Sequence, residues 1–257
     1  MKFLPQLILY IRAKRLYRTI TFLHTLLGYI AVKGFVFSQK DVFPIAFAVI
    51  VFGVIFHGGI YAINNIADRK ADARSRRKQN RILASSKIDY RWFTVDAVVS
   101  ILIAFVLTWH VMPSVLVFMI VFLVMNIFYT FILKRWNILV GALFVSTTHA
   151  LRVALGVFIA GGDIWQYWPL YVLVWMGLTG IITRKIQFER RKYPSSFLRV
   201  MRITTTLAVL LFGLVTLTQK APVIVVLVYW IYYLGGHILY HFSPVGRRAF
   251  QRYWQQS

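Results

Sequence analysis

Apolar runs about as long as a bilayer is thick recur along this chain. A helix needs roughly 20 predominantly apolar residues to cross the ~30 Å hydrocarbon core. Segments at about 19–38, 43–63, 92–110, 113–133, 138–160, 164–183, 200–219 and 221–241 meet or approach that length. No other feature narrows the fold as far, because backbone polar groups inside lipid must be satisfied within the segment that carries them. The expectation is an all-α polytopic transmembrane helix bundle of about eight spans. Composition agrees: 59% of the 257 residues are hydrophobic, which leaves too little polar material for the exterior of a soluble domain of this length.

The two ends have a different character. "MKFLPQLILYIRAKRLYR" (1–18) and "RRAFQRYWQQS" (247–257) mix basic and apolar residues in the manner of interfacial amphipathic segments. No short apolar stretch ends in a small-residue cleavage site, so no removable signal peptide is expected. Nothing divides the chain, and 1–257 is expected to be a single transmembrane domain. The absence of cysteine excludes disulfides, thiolate metal sites and cysteine nucleophiles.

A net charge of +23 invites a nucleic-acid reading, but the distribution of charge opposes it. If the eight helices alternate sides, one side holds the basic N-terminus, the segment Arg69 to Arg91, Lys134–Arg135, the segment Arg184 to Arg202 and the tail. The opposite side holds only Lys33, Lys40 and Lys220, and Arg152 lies within a span. That is the positive-inside pattern, so both termini and the large polar loops are expected on the cytoplasmic side. No aromatic-basic binding module accompanies the charge, so nucleic acid is not an expected partner. Basic residues beyond those that set topology suit anionic headgroups or a diphosphate. Loops on the outer side are short, which makes neighbouring helices antiparallel. The long polar segments 64–91 and 184–199 both fall on the cytoplasmic side, four helices apart, as in a pseudo-symmetric bundle with its site at one mouth.

The first of these polar segments opens with "NNIADRKAD", Asn64 to Asp72. On a helix, Asn64, Asp68 and Asp72 stand at i, i+4 and i+8 on one face, with Asn65 at i−3 from Asp68. Carboxylate and amide oxygens at that spacing suit Mg²⁺, which takes one or two carboxylates and completes its shell with substrate phosphates and water. Arg74, Arg76, Arg77, Lys78 and Arg81 follow, able to grip phosphate oxygens. The bland alternative pairs Asp68 and Asp72 with neighbouring arginines in a solvated loop. Arg152 has two readings as well. A charge inside a span is costly and must face the bundle interior or water, either anchoring a substrate anion or in a structural pairing. His149 lies one turn away on the same face, and an interior histidine is more often structural. Asp96 suits a local hydrogen-bonding role.

The stretch from Asn64 resembles the first signature of the UbiA superfamily of intramembrane prenyltransferases, N-D-x-x-D-x-x-x-D followed by a basic stretch ending N-R-P-L-A-S-G. Here the corresponding residues are "NNIADRKAD" and "RRKQNRILASSKI". "YTFILKRWNILVGAL" from Tyr129 resembles the Y-x-x-x-x-K-R segment, and "HALRVALG" resembles an arginine-to-glycine helix segment carried by Arg152 and Gly156. The resemblance covers roughly residues 10–200. It departs in three places: Asn65 replaces an aspartate, Ile82 and Ser86 replace the proline and glycine, and the second signature, D-x-x-x-D, is reduced to Glu189.

The resemblance implies a membrane-embedded prenyltransferase moving a polyprenyl group from a Mg²⁺-bound prenyl diphosphate to an aromatic or lipid acceptor. Asn64, Asp68 and Asp72 would hold the metal. Asp68, Asp72, Arg81 and Lys134 would carry catalysis, and Asn64, Asn65, Lys78, Tyr129, Arg152 and Glu189 would contact substrate. By default, Tyr129 and Lys134 belong to an aromatic belt and a snorkelling end. Two alternatives stay open: a polyprenyl-phosphate phosphoribosyltransferase of the same superfamily, which the "YPSSFLR" stretch suggests, and a non-catalytic lipid-binding member.

Overall fold

The computed structural model describes residues 3–14, 22–75, 78–190, 195–219, 221–246 and 248–249. All regular structure among them is helical. The chain forms two compact units, one drawn from Met1–Leu23 and Ser38–Phe131, the other from His24–Phe37 and Ile132–Ser257.

The first unit contains α1 (Phe3–Ala13), α3 (Gln39–Ala73), α4 (Tyr90–Val111) and α5 (Pro113–Leu133). α3 begins where the Asp41 carboxylate accepts from the Ser38 backbone N–H and hydroxyl at 2.7 and 2.6 Å, satisfying a free N-terminal donor. It then runs unbroken for 35 residues, with π-helical turns over Ala48–Phe56. Its core face is aromatic. Phe52 and Phe56 meet Phe122 of α5, Phe52 edge-on at 5.2 Å, and Phe56 meets Phe105 of α4 edge-on at 5.7 Å. α3 and α4 approach closely at Gly59, where a Cβ would come within 2.9 Å of the Ala97 carbonyl oxygen. Small residues of this kind let helices pack where lipid gives no hydrophobic drive to association.

The second unit contains α2 (Leu23–Lys33), α6 (Ile138–Ile159), α7 (Trp168–Arg190), α8 (Ser195–Thr218) and α9 (Val223–Tyr240). α6 is capped by Asn137, whose Oδ1 accepts from the N–H groups of Leu139 and Val140. α2 and α6 cross with backbone against backbone: a Cβ on Gly28 would strike the Val153 carbonyl, and one on Gly156 the Thr25 carbonyl. Indole N–H groups bridge other pairs, from Trp175 to the Leu143 carbonyl at 2.9 Å and from Trp230 to that of Val209 at 3.1 Å. Val153, Val157, Leu170, Leu173, Val174 and Val225 fill the centre.

Six helices among the described residues are long and apolar enough to cross a membrane: Gln39–Ala73, Tyr90–Val111, Pro113–Leu133, Leu139–Ile159, Arg199–Thr218 and Val223–Tyr240. The expected span at 164–183 corresponds to the shorter apolar stretch Trp168–Thr183 of α7. The expected span at 19–38 corresponds to the 11-residue α2, with residues 15–21 outside those described. Exposed residues such as Leu102, Val106 and Trp109 on α4 are apolar, as a lipid-facing surface requires. The protein is an all-α, multi-pass membrane bundle. The expected amphipathic start is helical over Phe3–Ala13. Most of the expected C-terminal segment lies outside the described residues.

Candidate active site

α3 is longer than a membrane needs. At 1.5 Å per residue, its 35 residues reach about 50 Å, against ~30 Å of hydrocarbon. The excess falls after the apolar stretch and carries Asn64 to Asp72, so the polar motif sits on a continuous helix. Asn64, Asp68 and Asp72 follow one another along one face at about 6 Å per step.

The last turns of α3 and the turns that follow bring Asp72 and Arg81 together. The Asp72 Oδ2 accepts from Arg81 Nη1 at 2.8 Å, and the Asp72 residue is only 7% exposed. Successive backbone bonds, Arg81 N–H to the Lys78 carbonyl and Ser85 N–H to that of Arg81, fold the loop into the turn that aims the guanidinium. Arg81 Nε is buried without a hydrogen-bond partner, so one edge of the guanidinium meets a carboxylate while a donor on the other is unspent. Asp68 and Lys78 are half-buried. Arg69 lies over the Tyr90 ring at 3.9 Å, a cation–π contact that ties the end of α3 to the start of α4. Arg76 and Arg77 lie outside the described residues.

Asn65 ties α3 to α1. Its amide nitrogen donates to the Ala13 carbonyl at the end of α1 at 2.6 Å, in a buried position. Lys14 secures the same junction, with Nζ at 2.7 Å from Asp96 Oδ2 and 2.9 Å from Ser100 Oγ. Tyr10 packs on Phe93 there, and burial, then the charges of Asp96 and Asp89, push its phenol pKa up. A carboxylate at position 65 has no proton to donate to Ala13 at neutral pH. Asn65→Asp should therefore cost about 2 kcal/mol and loosen α1. Thermal unfolding and the rate of proteolysis within the first 14 residues would measure both effects.

The departure at Ser86 also has a structural meaning. Ser86 adopts φ +55°, in the left-handed region that disfavours a side chain, at the position where the family pattern has glycine. Ser86→Gly should stabilise the protein by about 1 kcal/mol, read as a raised Tm.

In the second unit, Arg152 is 4% exposed near the middle of α6, and its Nη1 lies 3.2 Å from His149 Nδ1. A guanidinium can only donate, so the imidazole nitrogen is the acceptor. His149 stands edge-on to His24 of α2 with ring centroids 4.9 Å apart, and His24 Nε2 lies 3.4 Å from Tyr233 Oη on α9. Lys134 is half-buried just after π-helical turns that begin at Tyr129, itself half-buried. Glu189 lies in the last turn of α7, with its side chain outside the described residues. His24, Tyr229 and Tyr233 were not picked out by sequence reasoning; the available signal was a histidine in an otherwise apolar stretch.

The donor set suits a metal shared with a substrate better than one caged by protein. Among the described residues, no group of three or more His, Cys, Asp or Glu side chains could hold a metal ion. Asp68 lies one turn from Asn64 and one turn from Asp72, so a neighbouring pair of these oxygens, rather than all three, fits a Mg²⁺ ion that completes its shell with phosphate oxygens and water.

The sequence profile of the UbiA prenyltransferase family matches residues 22–256. No curated protein matches the chain. Among solved structures, the chain is similar to digeranylgeranylglyceryl phosphate synthase, with a TM-score of 0.68 at 14% identity over 98% of this chain and 94% of that one. At that identity the likeness speaks for the fold alone. With the profile spanning nearly the whole chain and the helices long enough to cross a bilayer, this multi-pass membrane protein belongs to the UbiA prenyltransferase family.

Proposed function

We propose that the protein transfers a polyprenyl group from a prenyl diphosphate to an acceptor, with the diphosphate received at the end of α3. The observation that carries this reading is Asp68 one turn from Asp72, with Asp72 held against an arginine that keeps a buried donor unspent. Acidic groups beside a guanidinium at the end of a transmembrane helix suit an amphiphile with a diphosphate head and a hydrocarbon tail. The family profile runs across both units, and we read the chain as one functional domain. The positive-inside rule puts the termini and this motif on the cytoplasmic side.

Asp68, paired with Asp72 or with the Asn64 amide oxygen, would hold Mg²⁺, whose charge polarises the diphosphate when bound. Arg81 donates to the diphosphate oxygens and Lys78 adds positive charge, while Lys134 keeps the catalytic role that the family resemblance implies. As the allylic C–O bond breaks, the electron pair leaves with the diphosphate, and these fixed cations stabilise the developing charge. The acceptor's nucleophile then captures the allylic cation and loses its proton. Glu189 and Tyr129 are substrate contacts in this reading.

The test is the release of diphosphate from labelled polyprenyl diphosphates by the purified protein in nanodiscs, with Mg²⁺ and total membrane extract. A labelled product heavier than its acceptor by one prenyl group is the expected result. A polyprenyl-phosphoribose formed from phosphoribosyl pyrophosphate would reassign the donor. No product from either donor would remove the catalytic reading.

A further inference from the structure

α1 ends at the level where α3 leaves the hydrocarbon. The Ala13 carbonyl accepts from Asn65, which stands where the apolar stretch of α3 gives way to its polar motif. Lys14 reaches Asp96 and Ser100 in the first turns of α4. At that end of α4, Trp92 is 68% exposed and Tyr90 38%, aromatic side chains of the kind that sit at a membrane–water boundary.

The two faces of α1 meet different surroundings. Leu9, Tyr10 and Ala13 turn inward and share one apolar cluster with Ala62 of α3 and Phe93 of α4. Ile82 and Leu83 belong to the same cluster, and they directly follow Arg81, whose guanidinium holds Asp72. The loop that presents Arg81 therefore rests against α1. On the outer face, Ile8 and Ile11 are 43% and 41% exposed, and Arg12 beside them is exposed too. Positions 8, 11 and 12 stand at i, i+3 and i+4, so they form one stripe.

Charge says what covers that stripe. No acidic residue precedes Asp41, whereas Lys2, Arg12, Lys14, Arg15 and Arg18 all do. Exposed isoleucines beside an arginine, at the level of the headgroups, match a bilayer surface that offers hydrocarbon to the one and phosphate to the other.

We propose that the outer face of α1 docks on an anionic bilayer surface and that this docking steadies the loop carrying Arg81. One helix thus meets lipid on one side and props the diphosphate site on the other. Asn65 is a positioning residue, fixing α1 to the helix that bears Asp68 and Asp72. The functional consequence, that anionic lipid favours turnover, rests on the transferase reading above; the docking does not.

Amide hydrogen exchange tests the docking without substrate. The protein would be compared in nanodiscs of phosphatidylcholine alone and of phosphatidylcholine mixed with phosphatidylglycerol. Exchange in α1, and at the Ser85 and Lys87 amides that hydrogen-bond within the loop, should slow at least fivefold in the anionic discs. Amides of α5 are the control and should not change. Arg12→Gln should remove about a fivefold share of the slowing, and Ile11→Ser should speed α1 exchange in both lipids. Both side chains are exposed, so neither substitution disturbs the core. Equal α1 exchange in the two lipids would overturn the proposal, as would slowing in α1 that does not extend to Ser85 and Lys87. Arg12→Gln and Ile11→Ser variants that exchange as wild type does would also overturn it, placing the lipid effect elsewhere. A protein that shows the full exchange pattern yet releases no diphosphate would support the docking and unseat the transferase reading alone.

Discussion

Asp68→Asn is expected to lower the rate of diphosphate release by about 10²–10³-fold while leaving the fold intact. The substitution keeps the shape of the side chain and removes one negative charge from a half-buried position on the face shared with Asn64 and Asp72. Asp68 would act through the Mg²⁺ it helps to hold, and weakening that cation's hold at the departing diphosphate costs rate on this scale. The measurement is diphosphate release at saturating Mg²⁺, with Tm as the control for folding. Activity within tenfold of wild type would remove Asp68 from the machinery and the α3 motif with it. Asp72→Asn is a useful contrast. Asp72 is buried against Arg81, so its neutralisation leaves a largely buried guanidinium without its counter-ion. That variant should lose roughly 1–3 kcal/mol of stability as well as activity.

The second large effect concerns packing. Gly156→Ala should destabilise the second unit by about 3 kcal/mol or more, although a methyl group is the smallest possible addition. The new Cβ would overlap the Thr25 carbonyl oxygen and come within 2.8 Å of the Tyr29 backbone nitrogen. Neither is the end of a side chain that could rotate away, so α2 itself must move off α6. Overpacked cores usually lose 1–3 kcal/mol when side chains can give, and a backbone obstacle puts this case at the upper end. Gly235→Ala is the control, because no atom outside its own helix lies within 4 Å of its built Cβ and its backbone is ordinary helix. Unfolding of the purified variants in one detergent would compare the two. Equal stability would mean that α2 and α6 do not pack backbone to backbone.

Consecutive residues alone determined a good deal about this protein. The lengths of the apolar runs fixed an all-helical membrane bundle, since bilayer thickness and helical rise leave no other use for them. The face shared by Asn64, Asp68 and Asp72 was equally legible, because an i, i+4 relation is local and survives any tertiary arrangement. So was the shared face of His149 and Arg152, three residues apart on one helix, although their pairing shows only in the fold. Helix continuity through the motif was less legible, because the polarity of residues 64–73 marks the membrane boundary rather than the helix end.

Tertiary structure decided the rest. Nothing near Asn65 in sequence announces that its amide is spent on a carbonyl 52 residues away, nor that Asp72 would be held by Arg81 among several available arginines. His24 and Tyr233 are 209 residues apart and become neighbours only when helices from opposite ends of the chain pack together. The glycines at 28 and 156 read as indifferent members of apolar runs until the backbones they admit are in place. Local patterns reveal what a segment can become, because covalent geometry sets periodicity and bilayer thickness sets length. Which buried polar groups find each other depends on close packing between distant segments, and that is a property of the folded molecule.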